Sequence, residues 1–409
     1  MLKQKEAVIL SLILVLLLLA GCEEADKNNA PVIEALQATP LWVMAEETVQ
    51  LNCTVSDPDQ DAISFSWSAS GGTFTDGDDG DSPTWLAPDT PDYYSISVTV
   101  SDGTAIATAD CTIPVMLTRE AAIPEDAHKW GPDDDTLPPV TLAEGWSQPE
   151  PLPGPINSAG GEDAPFITPD GETFFFFFTP DVSVPPEEQL FDGATGLWWS
   201  HHDIIWSVPQ RILLSDEPAL DGCPCSLGNR LWFCSARAGN FGEIDYYIAE
   251  LVNGVWTDWH NAGARLNADL VIGEMHLVTE QLMYFHWDDA AGSGGLDLWS
   301  LEQSGSEWGA PANLGETVNT SADESRPFVS SDGQELWYTA NSQQGYPGPS
   351  LWRSMRQTDA SWGEGEEIIA CFAGEPTLDG LGNIYFTHHF FDGGEMMEAD
   401  IYVAWKLVE

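Results

Sequence analysis

Acidic residues recur at regular intervals through the C-terminal two thirds of the chain, each close to the start of a short apolar run. A carboxylate can serve as a general acid or base, and two carboxylates flanking a glycosidic bond can hydrolyse it. Basic and imidazole side chains occur in the same stretches. The candidate binding residues are Glu162, Glu217, Glu274, Glu324, Arg326, Glu375, Arg237, His286, Asp288 and His388. Alternatively, a recurrent Glu before a strand can simply accept backbone N–H groups of a neighbouring strand.

The elements that would position these residues belong to a repeat. A Trp followed by a small residue opens each copy, and each copy then has a polar turn such as Asp332-Gly333 and a closing run such as Asp297-Leu298-Trp299. The opening tryptophans are Trp146, Trp206, Trp256, Trp308 and Trp362. A repeat of this length, with four short apolar runs separated by turn signals, predicts a β-propeller blade.

Residues 146–409 are therefore predicted to form a propeller with five blades, six being the alternative. The fifth closing run has no Trp segment after it, whereas the Trp146 segment precedes the first inner strand. Pairing the two would close the ring and leave no open edge. In such a ring the candidate residues converge around one mouth of the central channel. The Asp-Gly turns and the ending Asp400-Ile401-Tyr402 resemble the periplasmic Tol-type repeat, a WD-like propeller repeat of exported bacterial proteins.

Two functions fit this arrangement. The chain contains no nucleophile elbow, P-loop or dinucleotide-binding fingerprint. We therefore expect a non-catalytic binding or scaffolding surface for an envelope protein or a polysaccharide, with no resident organic cofactor. The alternative is a carbohydrate-active hydrolase that uses carboxylates at the channel mouth. Aromatic residues such as Trp198, Trp199 and Trp287 would suit sugar stacking, although they would equally suit packing between sheets.

The charge balance excludes one class of partner. The chain has 13 Lys and Arg against 66 Asp and Glu, a formal net charge of −53. Binding of nucleic acid needs clustered basic residues, so nucleic acid is not an expected partner. The acidic excess is either a solvated surface or a means of binding cations. Asp57, Asp59 and Asp61 have the spacing of a calcium loop, but Ala62 stands where an EF-hand requires Gly, so calcium binding and a plain turn both stay open.

Residues 31–115 differ from the repeat. Val49, Leu51 and Cys53 alternate with polar residues, and similar period-2 runs follow between Asp, Gly and Pro clusters. This pattern predicts an all-β sandwich in front of the propeller.

The Asp-rich run 56–61, Trp67 and the run 91–94 resemble bacterial immunoglobulin-like domains of the polycystic-kidney-disease (PKD) and cadherin-like type. An antibody-type domain would place the second Cys at position 96, where this chain has Ile96. We expect Cys53 to pair with Cys111 instead.

The remaining cysteines do not form a metal motif. Cys223 and Cys225 flank a Pro, and Cys234 lies on the next predicted strand, so a Cys223–Cys234 or a Cys225–Cys234 bridge is possible. No basic neighbour or helix N-terminus would lower a thiol pKa there, which argues against a redox-active site. Cys371 has no evident partner in the sequence.

The N-terminal residues indicate export. Residues 1–21 join a basic start to an apolar run that ends in Leu19-Ala20-Gly21-Cys22. This ending resembles the bacterial lipobox, which implies cleavage before Cys22, a lipid on its sulfur and attachment to the membrane. Glu23 in place of Asp implies the outer membrane. The prediction is thus a lipid-anchored cell-envelope protein with a polar tether at 22–30 and a linker rich in Pro and acidic residues at 116–145.

Overall fold

The computed structural model describes residues 28–305 and 307–407. The predicted signal peptide, the lipidated Cys22 and most of the tether lie outside these residues. The described chain divides into two compact units. One comprises the residues up to Asp89 with Tyr94–Ile113, and the other comprises Thr90–Tyr93 with the residues from Pro114 onward. Within the described ranges, no helix is long and apolar enough to span a membrane.

The first unit contains two four-stranded sheets. One sheet has the order β1 (Val32–Thr39), β3 (Thr48–Ser56), β6 (Thr84–Leu86) and β5 (Thr73–Phe74). The other has the order β2 (Val43–Met44), β8 (Ile106–Met116), β7 (Asp92–Ser101) and β4 (Ser64–Ala69). Buried Val49, Leu51 and Cys53 alternate with exposed residues in β3, as expected of a strand with one face on a core.

The predicted Cys53–Cys111 bridge is not formed in this structure, where both residues are free thiols. Cys53 lies in β3 and Cys111 in β8, which belong to different sheets. Cys111 has the same strand parity as the buried Ile113 and Val115, so both cysteines are on the core side of their strands. Burial raises the pKa of both thiols. Their pairing under oxidising conditions stays a prediction.

Five sheets make up the described part of the second unit, and the prediction of an all-β protein is confirmed, since half of the chain is strand. The first sheet contains β11 (Gly161–Ile167), β12 (Thr173–Thr179), β13 (Gly196–His201) and β14 (Gln210–Arg211). The second contains β15 (Ala219–Leu227), β16 (Arg230–Arg237), β17 (Asp245–Val252) and β18 (Val255–Asn261). The third contains β19 (Met275–Thr279), β20 (Leu282–Trp287), β21 (Asp297–Ser304), β22 (Glu307–Trp308) and β23 (Ala312–Asn313).

The fourth sheet contains β24 (Glu324–Val329), β25 (Glu335–Asn341), β26 (Pro349–Met355), β27 (Glu366–Ala370) and β9 (Val140–Thr141). The fifth contains β28 (Ala373–Leu378), β29 (Ile384–Asp392), β30 (Glu395–Ala404) and β10 (Glu150–Pro151). The helices are short: α1 (Arg119–Ala122), α2 (Pro186–Gln189) and a π-helix (Arg265–Leu270).

The first strands of the five sheets form a closed ring. Strand β11 lies beside β15, β15 beside β19, β19 beside β24, β24 beside β28, and β28 beside β11 again. Because consecutive strands within a sheet are antiparallel, the start of each first strand and the loop between the second and third strands lie on the same face of the ring. We call this the upper face.

The N-terminal part of the unit closes the last sheet, as predicted. Strand β10 pairs with β30, and Trp146 forms a further bridge with Lys406. Strand β9 adds to the outer edge of the fourth sheet through β27. The segment 116–145, predicted as a linker, therefore belongs to the second unit, and its backbone satisfies an otherwise open sheet edge.

The repeated tryptophans join neighbouring sheets. Each packs edge-on against an aromatic residue of a second strand. The ring pairs, with centroid distances of 5.5 to 6.5 Å, are Trp146–Trp337, Trp206–Phe174, Trp256–Phe175, Trp308–Trp232 and Trp362–Tyr284. In four of these pairs the Trp comes from one sheet and its partner from the preceding sheet. The period in the sequence thus reflects the contact that stacks one sheet on the next.

Candidate functional site

Four of the five first strands, β11, β15, β24 and β28, carry a bulge near their upper ends. Ala164, Cys223, Arg326 and Glu375 stand at these bulges, and Glu274 takes the corresponding place just before β19. The five residues line one small cavity of about 50 Å³. Four of them have left-handed backbone angles, with φ of 47°, 49°, 51° and 60° at Ala164, Cys223, Arg326 and Glu375. A Pro follows each of these four residues. Non-glycine residues with such angles are strained and often occur at functional sites.

Arg326 joins two of the predicted acidic residues in this cavity. Its Nε atom lies 3.1 Å from Oε1 of Glu274 and 2.5 Å from Oε1 of Glu375. Glu375 also accepts hydrogen bonds from the backbone N–H of Ala164 at 2.8 Å and from the hydroxyl of Thr387 at 3.0 Å. The guanidinium is therefore held between two carboxylates, each positioned by a different sheet.

Burial raises the pKa of both carboxyl groups. The pKa of Glu274 rises to about 7 through burial, an effect that Arg326 opposes and Glu375 reinforces. The pKa of Glu375 also rises to about 7, first through burial and then through Asp163, which shares a hydrogen bond with it. The side chain of Glu274 keeps 28% of its surface exposed, and solvent there moderates the effect.

His286 contacts the backbone of Arg326. Its Nδ1 accepts the backbone N–H of Arg326 at 3.4 Å. Burial, followed by the charge of Arg326, lowers the pKa of His286 to about 4. The imidazole is consequently neutral at pH 7, as its role as an acceptor requires. Of the predicted residues, the structure thus brings Glu274, Arg326, Glu375 and His286 together.

Glu162 and Glu324 occupy a different level, two residues before the bulge. Glu324 accepts the backbone N–H of Thr320 at 2.9 Å and its hydroxyl at 2.6 Å. Glu162 bonds Ser158 in the same two ways and also pairs with Arg119 at 3.0 Å. Both acids are almost completely buried. Both acids thus have a structural role, but they bond the turn before their own strand and not the backbone of a neighbouring strand.

Three further predicted residues do not line the cavity. Glu217 is exposed in the loop before β15, and Asp221, four residues later, takes the position equivalent to Glu162. Arg237 is bound to this Asp221 at 2.7 Å. Asp288 is exposed in the loop after β20. All three belong to the upper face but lie away from the central cavity, and Glu217 does so because the acidic pattern slips against the strand register in this copy.

His388 is also turned away from the cavity. It is completely buried, with Nε2 3.0 Å from Oδ2 of Asp135 and Nδ1 3.2 Å from the carbonyl oxygen of Phe372. Nearby, Lys129 lies 2.6 Å from Oδ1 of Asp400 and also contacts Glu398. The contacts of Asp135 and Lys129 attach residues 117–139 to the upper face. The sequence did not indicate this attachment.

The three Asp residues of the first unit are close together. Ligand atoms of Asp57, Asp59 and Asp61 all lie within 4.8 Å of one another. Carboxylate oxygens suit a hard cation such as Ca²⁺. However, Oδ1 of Asp57 accepts the backbone N–H groups of Asp59 and Asp61 at 2.8 and 3.1 Å, and Asn29 donates to Asp59. The loop is therefore a self-bonded turn whose oxygens would also fit calcium.

Sequence reasoning missed Arg119 and did not place Cys223 in the cavity. Arg119 lies in the presumed linker, where no periodic pattern marks it as buried. Asp163, next to Glu162, interacts with Glu375 instead. Cys223 precedes a Pro, as do three other bulge residues. This recurrent Pro is the signal that would have aligned four of the five strands.

Comparison with known proteins identifies the first unit. Residues 28–114 match the family described as Bacterial Ig domain, which confirms the predicted immunoglobulin-like fold. An N-terminal bacterial Ig domain followed by a propeller-like ring of sheets is thus the class of protein that the chain represents. No curated protein matches the chain.

Several solved structures are similar in fold. An α-L-arabinofuranosidase from Podospora anserina is 13% identical, with 65% of this chain and 98% of that chain covered and a TM-score of 0.39. A protein of unknown function from Bacteroides thetaiotaomicron is 12% identical, with 93% and 98% covered and a TM-score of 0.33. A xylan β-1,4-xylosidase from Bacillus halodurans is 12% identical, with 62% and 54% covered and a TM-score of 0.40.

Proposed function

We propose that the second unit is a five-bladed propeller whose upper face binds a partner without catalysis. The observation that carries this proposal is the state of the central carboxylates. Arg326 contacts both Glu274 and Glu375, and the cavity beside them measures about 50 Å³. Sites for small-molecule ligands usually enclose about 300–1,000 Å³. A sugar ring does not fit between these carboxylates while Arg326 stays in place.

The loops around this cavity offer a surface for a larger partner. Phe241 and Ile244 lie between β16 and β17 and have 58% and 59% of their surface exposed. Tyr346 is exposed on the corresponding loop of the fourth sheet, and Met396 and Met397 are exposed at the start of β30 in the fifth sheet. Apolar residues exposed together around an opening are typical of protein-binding surfaces. We therefore place an envelope protein ahead of a polysaccharide as the partner.

The cellular setting of this proposal depends on the N-terminal sequence. A lipid on Cys22 would attach the protein to a membrane through the tether. The likeness of the repeats to the Tol-type propeller supports an exported, envelope-located binding protein. The resemblance to the lipobox, with Glu23 after Cys22, supports an outer-membrane position.

One observation favours a second function, a carbohydrate-active hydrolase. Because Glu274 and Glu375 approach the same nitrogen of Arg326, the two carboxylate oxygens lie within about 6 Å of each other. Retaining glycosidases place their two carboxyl groups about 5–5.5 Å apart. This function requires Arg326 to leave its position between the carboxylates when substrate arrives.

The mature chain, released from its lipid, can be screened against envelope proteins and glycans. Replacing Phe241 and Ile244 by Ser should weaken capture of a protein partner at least tenfold. The control replaces Ile204 and Val208 by Ser, since both are highly exposed on the loop between β13 and β14, which lies on the opposite face. Glu274→Gln should leave binding unchanged. Glycoside turnover that Glu274→Gln or Glu375→Gln abolishes would refute the non-catalytic proposal and establish the hydrolase.

A further inference from the structure

Cys223 lines the central cavity, and Cys234 lies beside it on the next strand. Cys223 stands in the bulge of β15, where the register shifts between Gly222 and Cys225, and Cys234 is the residue paired with Gly222 on β16. The neighbouring thiol of Cys234 is the largest influence on the pKa of Cys223, which it raises. Gly222 leaves room for this contact, since even a Cβ atom there would lie 3.6 Å from Sγ of Cys234. The bulge therefore turns Cys223 toward its cross-strand neighbour.

The third cysteine of this hairpin has a different partner. Sγ of Cys225 accepts the backbone N–H of Leu277, in the next sheet, at 3.3 Å. Cys225 also pairs across the sheet with Trp232 rather than with Cys234. Of the two bridges that the sequence allowed, the strand register therefore favours the one between Cys223 and Cys234.

We propose that Cys223 and Cys234 form a disulfide that fixes the bulge in the wall of the central cavity. The bridge would join two adjacent strands of one hairpin and would hold Cys223 in its left-handed conformation, with φ of 49°. With Cys223 held in this disulfide, the part of the cavity lining next to Glu274 and Arg326 would keep its position. This inference concerns the covalent state of the chain and does not depend on the proposed binding function.

The chemistry is thiol–disulfide exchange with a disulfide-bearing oxidant. The thiolate of one cysteine attacks the oxidant and releases one of its sulfurs as a thiol. The other cysteine then displaces the second sulfur, so that two S–H bonds are lost, one S–S bond forms and the oxidant ends as two thiols. The neighbouring thiol of Cys234, then burial, then the charges of Glu274 and Glu375 raise the pKa of Cys223 well above its ordinary value. Few thiolates exist after folding, so the bond forms while the hairpin is still accessible.

The sequence makes the bridge easy to detect. Trypsin cleaves after Arg211, Arg230 and Arg237, so Cys223 and Cys225 fall in one peptide and Cys234 in another. The mature chain is refolded from the reduced, denatured state with oxidised and reduced glutathione, its free thiols are alkylated in denaturant, and its peptides are identified by mass spectrometry. We expect the peptides 212–230 and 231–237 to be linked, and Cys225 and Cys371 to be alkylated.

Two variants make the result specific. Cys225→Ala should keep the link, whereas Cys223→Ala should lose it. Reducing the wild-type bridge should lower the Tm of the second unit by about 5 °C, given its loop of roughly a dozen residues, and the Cys223→Ala variant should not respond to reductant. Alkylation of both Cys223 and Cys234 in the refolded wild type would overturn the proposal, and so would loss of the link in Cys225→Ala. Neither outcome requires the Cys223 variant to fold.

Discussion

Replacing Arg119 by Met tests whether the segment predicted as a linker is an integral part of the propeller-like unit. Arg119 is 4% exposed and its partner Glu162 is fully buried. The guanidinium donates to the carbonyl oxygens of Ile156 and Pro155 at 2.6 Å each and to Glu162 at 3.0 Å. It also lies over the rings of Phe176 and Phe178. The substitution leaves these buried acceptors without a donor.

Removing one partner of a buried ion pair costs about 3–5 kcal/mol. At about 2–4 °C per kcal/mol for a unit of this size, the Tm should fall by roughly 8–15 °C in scanning calorimetry. The control is Arg230→Met. Arg230 pairs with Glu250 and Glu280 on the surface, where such pairs contribute about 0–1 kcal/mol. Equal Tm values for the two variants would refute the reasoning.

A pH series sharpens this test. Burial already raises the pKa of Glu162 to about 8, an effect that Arg119 opposes. Without Arg119 the pKa rises further, so the native variant keeps a proton that the unfolded chain has released. The stability of the variant therefore continues to fall at pH values above those at which the stability of the wild type has stopped falling. The loss of Tm should therefore be greater at pH 9 than at pH 7, and the added substitution Glu162→Gln should remove this difference.

Two further predictions follow from the charges. The native pKa of Glu375, about 7, exceeds its ordinary 4.5, so its contribution is complete below pH 4.5 and is lost as pH rises through 7. Glu375→Gln should flatten the decline in stability from pH 5 to 7.5 by up to about 3 kcal/mol, and an unchanged slope would contradict the assignment. The net charge of −53 should make Tm rise with NaCl. Millimolar CaCl₂ at matched ionic strength should add nothing; an additional rise lost in Asp59→Asn would establish calcium at the Asp57 loop.

The repeat was readable because its physical cause is local and periodic. A Trp that packs on the second strand of the preceding sheet must recur once per sheet, as Trp256 on Phe175 and Trp362 on Tyr284 do. The surplus Trp146 likewise predicted the strand that closes the fifth sheet. Both features can be predicted from the pattern of apolar residues and the number of copies alone.

The site was only partly readable, because bulges insert a residue into the strand register. Glu162 and Glu274 looked equivalent in sequence, yet one bonds its own turn while the other lies at the bulge beside Arg326. Acidic residues alone cannot reveal a shift of two positions. The Pro after Ala164, Cys223, Arg326 and Glu375 carries that information. Arg119 had no such signal, since its partner Glu162 is more than forty residues away.

The few basic residues explain how such an acidic chain keeps carboxylates inside. Arg326 contacts both Glu274 and Glu375, Lys129 contacts both Glu398 and Asp400, and Arg119 and Arg237 each hold a buried acid. Because these bases are committed to buried partners, they do little to offset the acids on the surface. An exposed acidic field attracts cationic groups over a range that salt shortens. A partner that reaches the apolar loops around Phe241 should therefore carry basic residues next to its apolar contacts, and its association rate should fall as ionic strength rises.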